Sequence, residues 1–591
     1  MRTSIRTLLT VLLGATALSA LAPAVHAQDA ATAATPTQNA VVNLINALVH
    51  KGVLSQAEAD QMIAQAEAEA AQVQSAAKSA QTALAAAAPA SSATTQGTSV
   101  RYVPSFVRDE ITQEVRAQVI DDVKKQGLVA PDAMPDWVRH IKITGDMRLR
   151  DEQQIFDNGN AYDFVNIGAI NAGTPYNTDP VSNPFNPPII NTQKNRNYLR
   201  LRARLNVEAD IFPDLTAYMR LATGSDNSPV STNQTLGGYD TKKDLWLDRA
   251  YIDYNPALGT HIYAGRMANP FRLTELVWDE DVNLDGVAGT YQHRFGNAVS
   301  AYVTGGVFPL DYIDGAFPKT SAGKVNDGGD KWLFAAQIGG DWLAADALRT
   351  SAHLAYYDFQ NVEGALSPAC SNLADYCLTD YTRPGFAQRG NTLFALRDIT
   401  TSDPANQAAP QYYGLASKFK VIDLSGDVEW AITDGLHLNV TAHVAKNLGY
   451  KETDVLARGF NPARGVSQIA NNNETCGVAL VGGLCPTGGN LFISSPDAWL
   501  LRATLGSPKV AEAGDWSVSA SYRHLGADSL LDAFTDSDFH LGGTNAKGWT
   551  VEGSYGLRRN TSFTIRWINS EEISGPVFRV NLLQSDVKVA F

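Results

Sequence analysis

Cysteine and charge are scarce in this 591-residue chain. Four cysteines occur, in two pairs that are each close in sequence, and charged residues make up 18% of the chain. The formal net charge is −14, which argues against nucleic-acid binding because such proteins carry a basic surface. After residue 27 no stretch approaches the roughly 18 consecutive apolar residues that a transmembrane helix requires. A location in a membrane would therefore require a closed β-barrel.

Residues 1–27 have the pattern of a secretory signal peptide. Arg2 and Arg6 form a basic start, residues 8–21 form an apolar centre, and residues 25–27 end in a small-residue cleavage pattern. The apolar centre is short for a permanent membrane span, so an uncleaved anchor is the less favoured alternative. The pattern predicts an exported protein.

Residues 28–138 have helical patterns. Residues 28–99 predict a helical hairpin, with Ser55 and Glu58 as a capping box, followed by an Ala-rich tether. Residues 100–138 contain a second predicted helix, whose apolar positions recur every three or four residues. This helix either rests on the rim of the following domain or self-associates as a periplasmic coiled coil.

The most informative segment is residues 195–210, with the sequence NRNYLRLRARLNVEAD. Alternate side chains of a β-strand point to opposite faces, so the segment has one apolar face and one charged face. Such a strand suits a barrel wall with lipid outside and water inside. The apolar face is Leu199, Leu201, Ala203, Leu205, Val207 and Ala209, and the other is Arg200, Arg202, Arg204, Asn206 and Glu208.

The same alternation continues from residue 141 to the end, and short and long connections alternate strictly. Seven short turns and eight long polar loops predict an all-β transmembrane barrel of about sixteen antiparallel strands in residues 139–591. Residues 412–431 are counted as one strand, and a turn at 422–424 would raise the count to eighteen. The predicted turns are 212–214, 255–259, 295–297, 343–347, 433–435, 507–514 and 557–560. The predicted loops are 152–196, 224–244, 268–285, 309–331, 359–411, 449–497, 525–546 and 571–578.

Several segments carry a resemblance to a known family. DRAYIDY at 248–254, AGRMANPF at 264–271 and LVWDED at 276–281 are similar to the "putative porin" family of Gram-negative bacteria, as are residues 102–104 and 220–224. The resemblance implies a general diffusion channel of the outer membrane for small hydrophilic solutes, in contact with outer-membrane lipid and lipopolysaccharide. It does not imply one solute, because a fold alone does not settle function. The resemblance leaves open whether the protein forms a homotrimer.

Six arginines on three consecutive predicted strands are candidates for a basic wall of the pore. They are expected to stack side by side on the inner face, where rings of charge set selectivity. The alternative is that they only solvate the lumen or pair with acids such as Asp146 and Glu208. The six are Arg148, Arg150, Arg200, Arg202, Arg204 and Arg220.

The third long loop is acidic, with Asp279, Glu280 and Asp281. In trimeric general porins the third loop folds into the barrel and places acids opposite a basic wall, so by analogy these acids are candidates for half of an electrostatic constriction. A surface calcium site and a solvated loop are the alternatives. The regular calcium-loop spacing is absent, so no metal is predicted.

The cysteines and the last residue suggest two further features. Cys370 and Cys377 lie in the fifth long loop and Cys476 and Cys485 in the sixth, and export to an oxidising compartment predicts two disulfides within loops, with pairing across loops as the alternative. The final strand ends the chain on Phe591, with Phe591 on the lipid side. It resembles the terminal signal that delivers outer-membrane barrels to their assembly machinery.

Other functions fit the sequence less well. No nucleophile elbow, H-E-x-x-H motif or phosphate loop occurs, so neither an enzyme nor a cofactor is predicted, although His437 and His443 fall on the inner face. An energy-coupled receptor would need about 22 strands and a folded plug. The main alternative is an envelope-tethering protein that contacts the cell wall through its N-terminal helices, with a narrow or closed barrel.

Overall fold

The computed structural model describes residues 140–162, 164–177, 187–313, 329–370, 379–399, 410–462, 465–472 and 492–591. The predicted signal peptide, helical hairpin, tether and coiled coil lie outside these residues and remain predictions. Cys377, Cys476 and Cys485 also lie outside them, so the two disulfides remain predictions as well. The backbone of Cys370 ends a two-residue strand. Within the described part of the chain, no helix combines the length and the apolar composition that crossing a bilayer requires.

Sixteen antiparallel strands form one closed barrel. Each strand pairs with its neighbours in sequence, and β1 pairs with both β2 and β16, which closes the sheet. The count of sixteen is confirmed and the eighteen-strand alternative is wrong. The strands are β1 (Ile141–Phe156), β2 (Arg196–Phe212), β3 (Leu215–Thr223), β4 (Leu245–Tyr254), β5 (Thr260–Ala268), β6 (Asn283–Phe295), β7 (Val299–Asp311), β8 (Lys331–Ala345), β9 (Leu348–Gln360), β10 (Phe419–Thr433), β11 (Leu436–Asn447), β12 (Asp497–Gly506), β13 (Trp516–Leu525), β14 (Ala546–Arg558), β15 (Thr561–Glu572) and β16 (Arg579–Ala590).

Alternation along each strand separates the two faces of the wall. On β1, Met147 and Leu149 are 51% and 47% exposed, whereas the intervening Arg148 is 8% and Arg150 1% exposed. The apolar side chains therefore point outward and the arginines point into the barrel, as the period of two requires. The seven predicted turns all lie at one edge of the barrel and the eight long loops at the other.

The fifth loop differs from the prediction. The strand expected over residues 412–431 begins at Phe419, and Tyr413–Leu415 instead pairs with Leu393–Ala395 inside the loop. The apolar run misled the prediction because Tyr413 and Leu415 are buried against other loops, not against lipid. Two short helices, α1 (Ile167–Ala172) and α2 (Glu452–Arg458), lie in the first and sixth loops.

Described parts of the long loops pack inside the loop-side half of the barrel. Inward-facing Phe308, Leu333 and Tyr357 on β7–β9 are fully buried, and they belong to one apolar core with Trp278 of the third loop and Leu531 of the seventh. Trp278 packs edge-on to Tyr357 with ring centroids 5.5 Å apart. The short-turn half of the lumen is lined mainly by polar side chains instead.

The hairpin of β5 and β6 leaves the wall partway along its length. Gly265 and Gly286 lie directly opposite each other, with φ of +122° and +141°. Both values are accessible to glycine at little cost. A Cβ at Gly286 would lie 2.2 Å from the carbonyl oxygen of Val307. The glycine pair therefore lets both strands bend where they touch the neighbouring backbones.

Candidate functional site

The arginines of β1, β2 and β3 lie side by side on the inner face. The antiparallel register places Arg148 opposite Arg202 and Arg150 opposite Arg200, and it places Arg220 of β3 opposite Asn206. Alternation and pairing bring all six sequence-identified arginines to one sector of the wall. We refer to Arg148, Arg150, Arg200, Arg202, Arg204 and Arg220 as the arginine wall.

Acidic side chains from the barrel itself pair with most of the arginine wall. The two carboxylate oxygens of Asp146 accept hydrogen bonds from Arg204, at 2.8 Å, and from Arg202, at 3.3 Å. Arg200 contacts Glu152 at 2.8 Å, and Arg220 donates to Asp248. The alternative that the arginines pair with acids such as Asp146 and Glu208 therefore holds for Asp146. Glu208 pairs with Lys142 instead.

The last strand and the seventh loop add two more acids. Asp586 of β16 accepts two hydrogen bonds from Arg150, and Asp538 of the seventh loop accepts a third at 2.8 Å. Burial alone would raise the pKa of Asp538, but the guanidinium groups of Arg150 and Arg566 hold it below its usual range. Asp586 was not among the residues predicted from the sequence, although its parity on the final strand places it on the inner face.

Two of the three loop acids contact the arginine wall. Glu280 accepts a hydrogen bond from Arg202 at 3.2 Å, and Asp281 accepts one from Arg204 at 3.2 Å. Asp281 also accepts bonds from the backbone N–H and the hydroxyl of Thr232 in the second loop. The third loop is thus fastened to the inner face of β2 by charge-assisted hydrogen bonds.

Asp279 has a different position from its two neighbours. Its carboxylate accepts the backbone N–H groups of Asp281 and Ser537, each at 2.8–2.9 Å, and its own N–H donates to the carbonyl of Phe534. It therefore joins the third loop to the seventh and does not contact the arginine wall. Burial, and then the nearby Asp536, raise the pKa of Asp279 to about 8.

Glu280 shows that water reaches the inside of the barrel at this level. Its side chain is 76% exposed although it bonds Arg202, whose own side chain is 3% exposed. The acid and the arginine touch, so they do not oppose each other across open water as a constriction with a transverse field would need. The inner wall of this sector therefore carries ion pairs whose charges nearly cancel, and Glu280 is the member of these pairs that is exposed to water.

Aromatic and histidine side chains line other inner sectors. The rings of Tyr218 and Tyr251 stack with centroids 4.8 Å apart. The hydroxyl of Tyr302 lies 2.7 Å from His353 Nδ1, and Arg272 of the third loop lies over the Tyr302 ring at 4.1 Å. Arg272 was not among the residues that the sequence singled out. No cluster of His, Cys, Asp or Glu suited to a metal ion occurs among the described residues.

A family model described as "Putative porin" matches residues 38–591. The match covers more than half of the chain and includes the whole barrel. No curated protein matches the sequence.

Several solved outer-membrane proteins are similar in structure. The channel DcaP of Acinetobacter baumannii is 11% identical with a TM-score of 0.36, and the match covers 76% of this chain and 97% of that one. OmpT of Vibrio cholerae lacking loop L8 is 10% identical with a TM-score of 0.35, covering 76% and 100%. Pseudomonas putida OprB is 8% identical with a TM-score of 0.37, covering 77% and 95%.

Proposed function

Because this chain belongs to the family described as "Putative porin", we propose that it is a channel of the Gram-negative outer membrane through which small hydrophilic solutes diffuse passively. The closed barrel fits this role, since it satisfies every strand edge and presents an apolar exterior to lipid. The short-turn edge faces the periplasm in barrels of this kind. Ile141 and Phe591 both lie at that edge, which supports a periplasmic position for the residues before the barrel.

The exposed Glu280 is the observation that carries the proposal. A side chain fixed to an inner wall can be 76% exposed only if aqueous space adjoins it. That space lies beside the arginine wall, where a hydrated ion or a polar solute would meet Glu280. A sixteen-stranded barrel is wide enough to contain such a space.

The packed loops make the proposed path narrow. Phe308, Tyr357 and Trp278 close much of the loop-side half of the lumen with apolar contacts. A solute would therefore pass between the third loop and the remaining wall, and the paired charges there would favour small polar solutes of low net charge. The same packing is also what a closed barrel with a tethering role would show.

The experiment is single-channel recording of the purified protein in a planar bilayer under a salt gradient. Stable ohmic steps of low conductance are the expected result, and the reversal potential reports ion preference. A protein that migrates as a folded barrel yet never conducts would overturn the channel proposal. Envelope integrity in cells lacking residues 28–130 then tests the tether: loss of integrity supports it and unchanged integrity rejects it.

A further inference from the structure

The barrel wall is interrupted where β5 and β6 bend away from their neighbours. Pairing of β4 with β5 stops at Ala250 and Arg266, and pairing of β6 with β7 stops at Val287 and Val307. The hairpin itself remains paired up to Ala268 and Asn283. The loop-side end of the β5–β6 hairpin therefore separates from both β4 and β7 while its own two strands stay paired. The separation begins at the level of Gly265 and Gly286.

The end of the hairpin lies over the inner face of β4. Asn283 donates to the carboxylate of Asp248 at 2.8 Å and accepts from Arg249 at 2.7 Å. Arg266 Nε donates to the backbone carbonyl of Asp248, and its terminal nitrogen bonds Asp285. Arg266 thereby marks the point where the displaced hairpin meets the rest of the wall.

An apolar cavity of about 270 Å³ lies between the displaced hairpin and β7. Its lining includes Phe308 and Leu310 of β7, Phe386 of the fifth loop, and Leu531 and Phe534 of the seventh loop. Two ion pairs stand at its polar side: Arg266 with Asp285, and Lys331 with Asp311. An apolar lining with a few convergent polar groups is the usual composition of a small-molecule site.

A second cavity, of about 480 Å³ and more polar than the first, adjoins it. The two share Pro229, Arg266, Gly385 and Phe386 in their linings. Hydroxyl, amide and carboxylate groups from residues 225–232 line the second cavity, together with the indole of Trp246. One molecule that spans both would therefore place an apolar part beside Phe308 and a hydrogen-bonding part beside Trp246.

The charges around the cavities select against an anionic ligand, because Asp226, Asp248 and Asp281 also line the second cavity. Arg266 and Lys331 are already matched by Asp285 and Asp311, so an added carboxylate would lack a free partner. Burying an unmatched ion is costly, whereas hydroxyl groups can both donate and accept among the existing groups. The second cavity therefore suits a hydroxylated head that carries no negative charge.

From these contacts we propose that the paired cavities form a binding site for a non-anionic amphiphile, with its apolar body beside Phe308 and Phe534 and its hydroxylated head beside Arg266 and Trp246. The site goes beyond the proposed diffusion channel. None of the six arginines of the arginine wall lines it, although Asp248 and Asp281, which pair with Arg220 and Arg204, do. Its occupancy can be measured whether or not the barrel conducts ions. In the test the amphiphile is supplied from the aqueous phase.

The test is photolabelling of the whole protein, held in amphipol without lipid, by an octyl glucoside that carries a diazirine in its chain. Mass spectrometry is expected to place the label on residues 308–311 and 531–534. Excess octyl glucoside should remove it, and equal amounts of octanoate or glucose should not. Displacement by octanoate would overturn the exclusion of an anionic head. No label in amphipol, or label only on the outer surface, would overturn the site.

Two variants fill the site in different places. Ala533→Trp occupies the apolar cavity and Phe386→Trp narrows the junction between the cavities, and each should reduce labelling at least tenfold. Val303→Trp, on the outward face of β7, is the control and should keep the label. Heat-modifiable migration on gels confirms that each variant is folded. Folded site variants that label as fully as Val303→Trp would overturn the proposal.

Discussion

Arg150 on the first strand and Asp586 on the last are joined by two hydrogen bonds of 2.7 and 2.9 Å. This bidentate pair lies at the seam where the barrel closes, and Arg150 also bonds Asp538 of the seventh loop. The buried guanidinium of Arg150 therefore contributes both to the closure of the barrel and to the packing of the seventh loop. Two of the groups that hold it are 436 and 388 residues away in sequence.

Asp586→Ala should destabilise the barrel strongly. It leaves Arg150, which is 1% exposed, with Asp538 as its main acidic partner. Removing one partner of a buried pair costs about 3–5 kcal/mol. The urea midpoint for loss of heat-modifiable migration should fall accordingly. The control is Glu571→Ala on β15, whose ion pairs with Lys547 and Arg579 are solvent-exposed and contribute about 0–1 kcal/mol. Equal midpoints for the two variants would contradict the role of the seam pair.

Gly286→Ala should weaken folding because the bend of the β5–β6 hairpin requires glycine. A φ of +141° is strained for alanine by about 1–3 kcal/mol, and the added Cβ meets the Val307 carbonyl oxygen at 2.2 Å. The folded fraction after refolding into detergent measures the effect. Gly553→Ala on β14 is the matched control, since a Cβ there meets no atom within 4 Å. If both variants refold equally well, the hairpin does not depend on this glycine.

Glu280→Gln should shift ion preference toward anions. The change removes one exposed negative charge from the lumen and leaves Arg202 with Asp146 as its close partner. Replacing Arg202 with an acidic residue would be a poorer test, because that side chain is buried and a loss of folding would be mistaken for a change in ion selectivity. The reversal potential under a salt gradient is the measurement. Glu452→Gln, on an exposed position of α2, serves as the control and should leave it unchanged. A potential equal to that of the unmodified protein would place Glu280 off the conducting path.

The barrel could be predicted from sequence because its signal is local. The alternation in residues 195–210 depends only on each side chain's parity, and short turns separate consecutive strands. Arg148 and Arg202 could therefore be assigned to one face without knowledge of any distant contact.

The interior of the barrel could not be predicted in the same way. Asn391 of the fifth loop accepts the N–H of Asp532, 141 residues later, and no local pattern announces such a contact. Asp279, Glu280 and Asp281 are equivalent in sequence, but Asp279 is turned toward the seventh loop by backbone hydrogen bonds. Whether an acid faces the wall or another loop depends on the packing of loops that are distant in sequence.

Loop packing should weaken as the pH rises from about 4 to about 7. Burial raises the pKa of Asp532 from 3.8 to about 7, with Asp528 nearby. The folded state holds the proton of the Asp532 carboxyl more tightly than the unfolded state does. The resulting stabilisation is therefore complete below pH ~4, declines between about pH 4 and 7, and does not change further above that range. It amounts to roughly 4 kcal/mol at most. Asp279, with its pKa raised to about 8, should extend the decline.

Deuterium uptake by peptides from residues 526–545 measures this dependence. Uptake should be faster at pH ~8 than at pH ~5, after correction for intrinsic exchange. Asp532→Asn should reduce the difference, and the double variant with Asp279→Asn should reduce it further, since neither amide ionises. A pH dependence that persists unchanged in the double variant would show that other groups control the loops.

Phe591→Ala should separate assembly in cells from stability of the finished barrel. The backbone of Phe591 exchanges two 3.0 Å hydrogen bonds with Gly145 of β1, and its ring lies over that glycine. The residue as a whole is 62% exposed. Alanine retains the backbone bonds, so refolded protein should keep nearly the same urea midpoint. If Phe591 serves as the delivery signal, the yield in outer membranes should nevertheless fall several-fold. Val589→Ala removes a neighbouring outward side chain and is the control. Equal membrane yields for the two variants would show that the terminal ring contributes only packing.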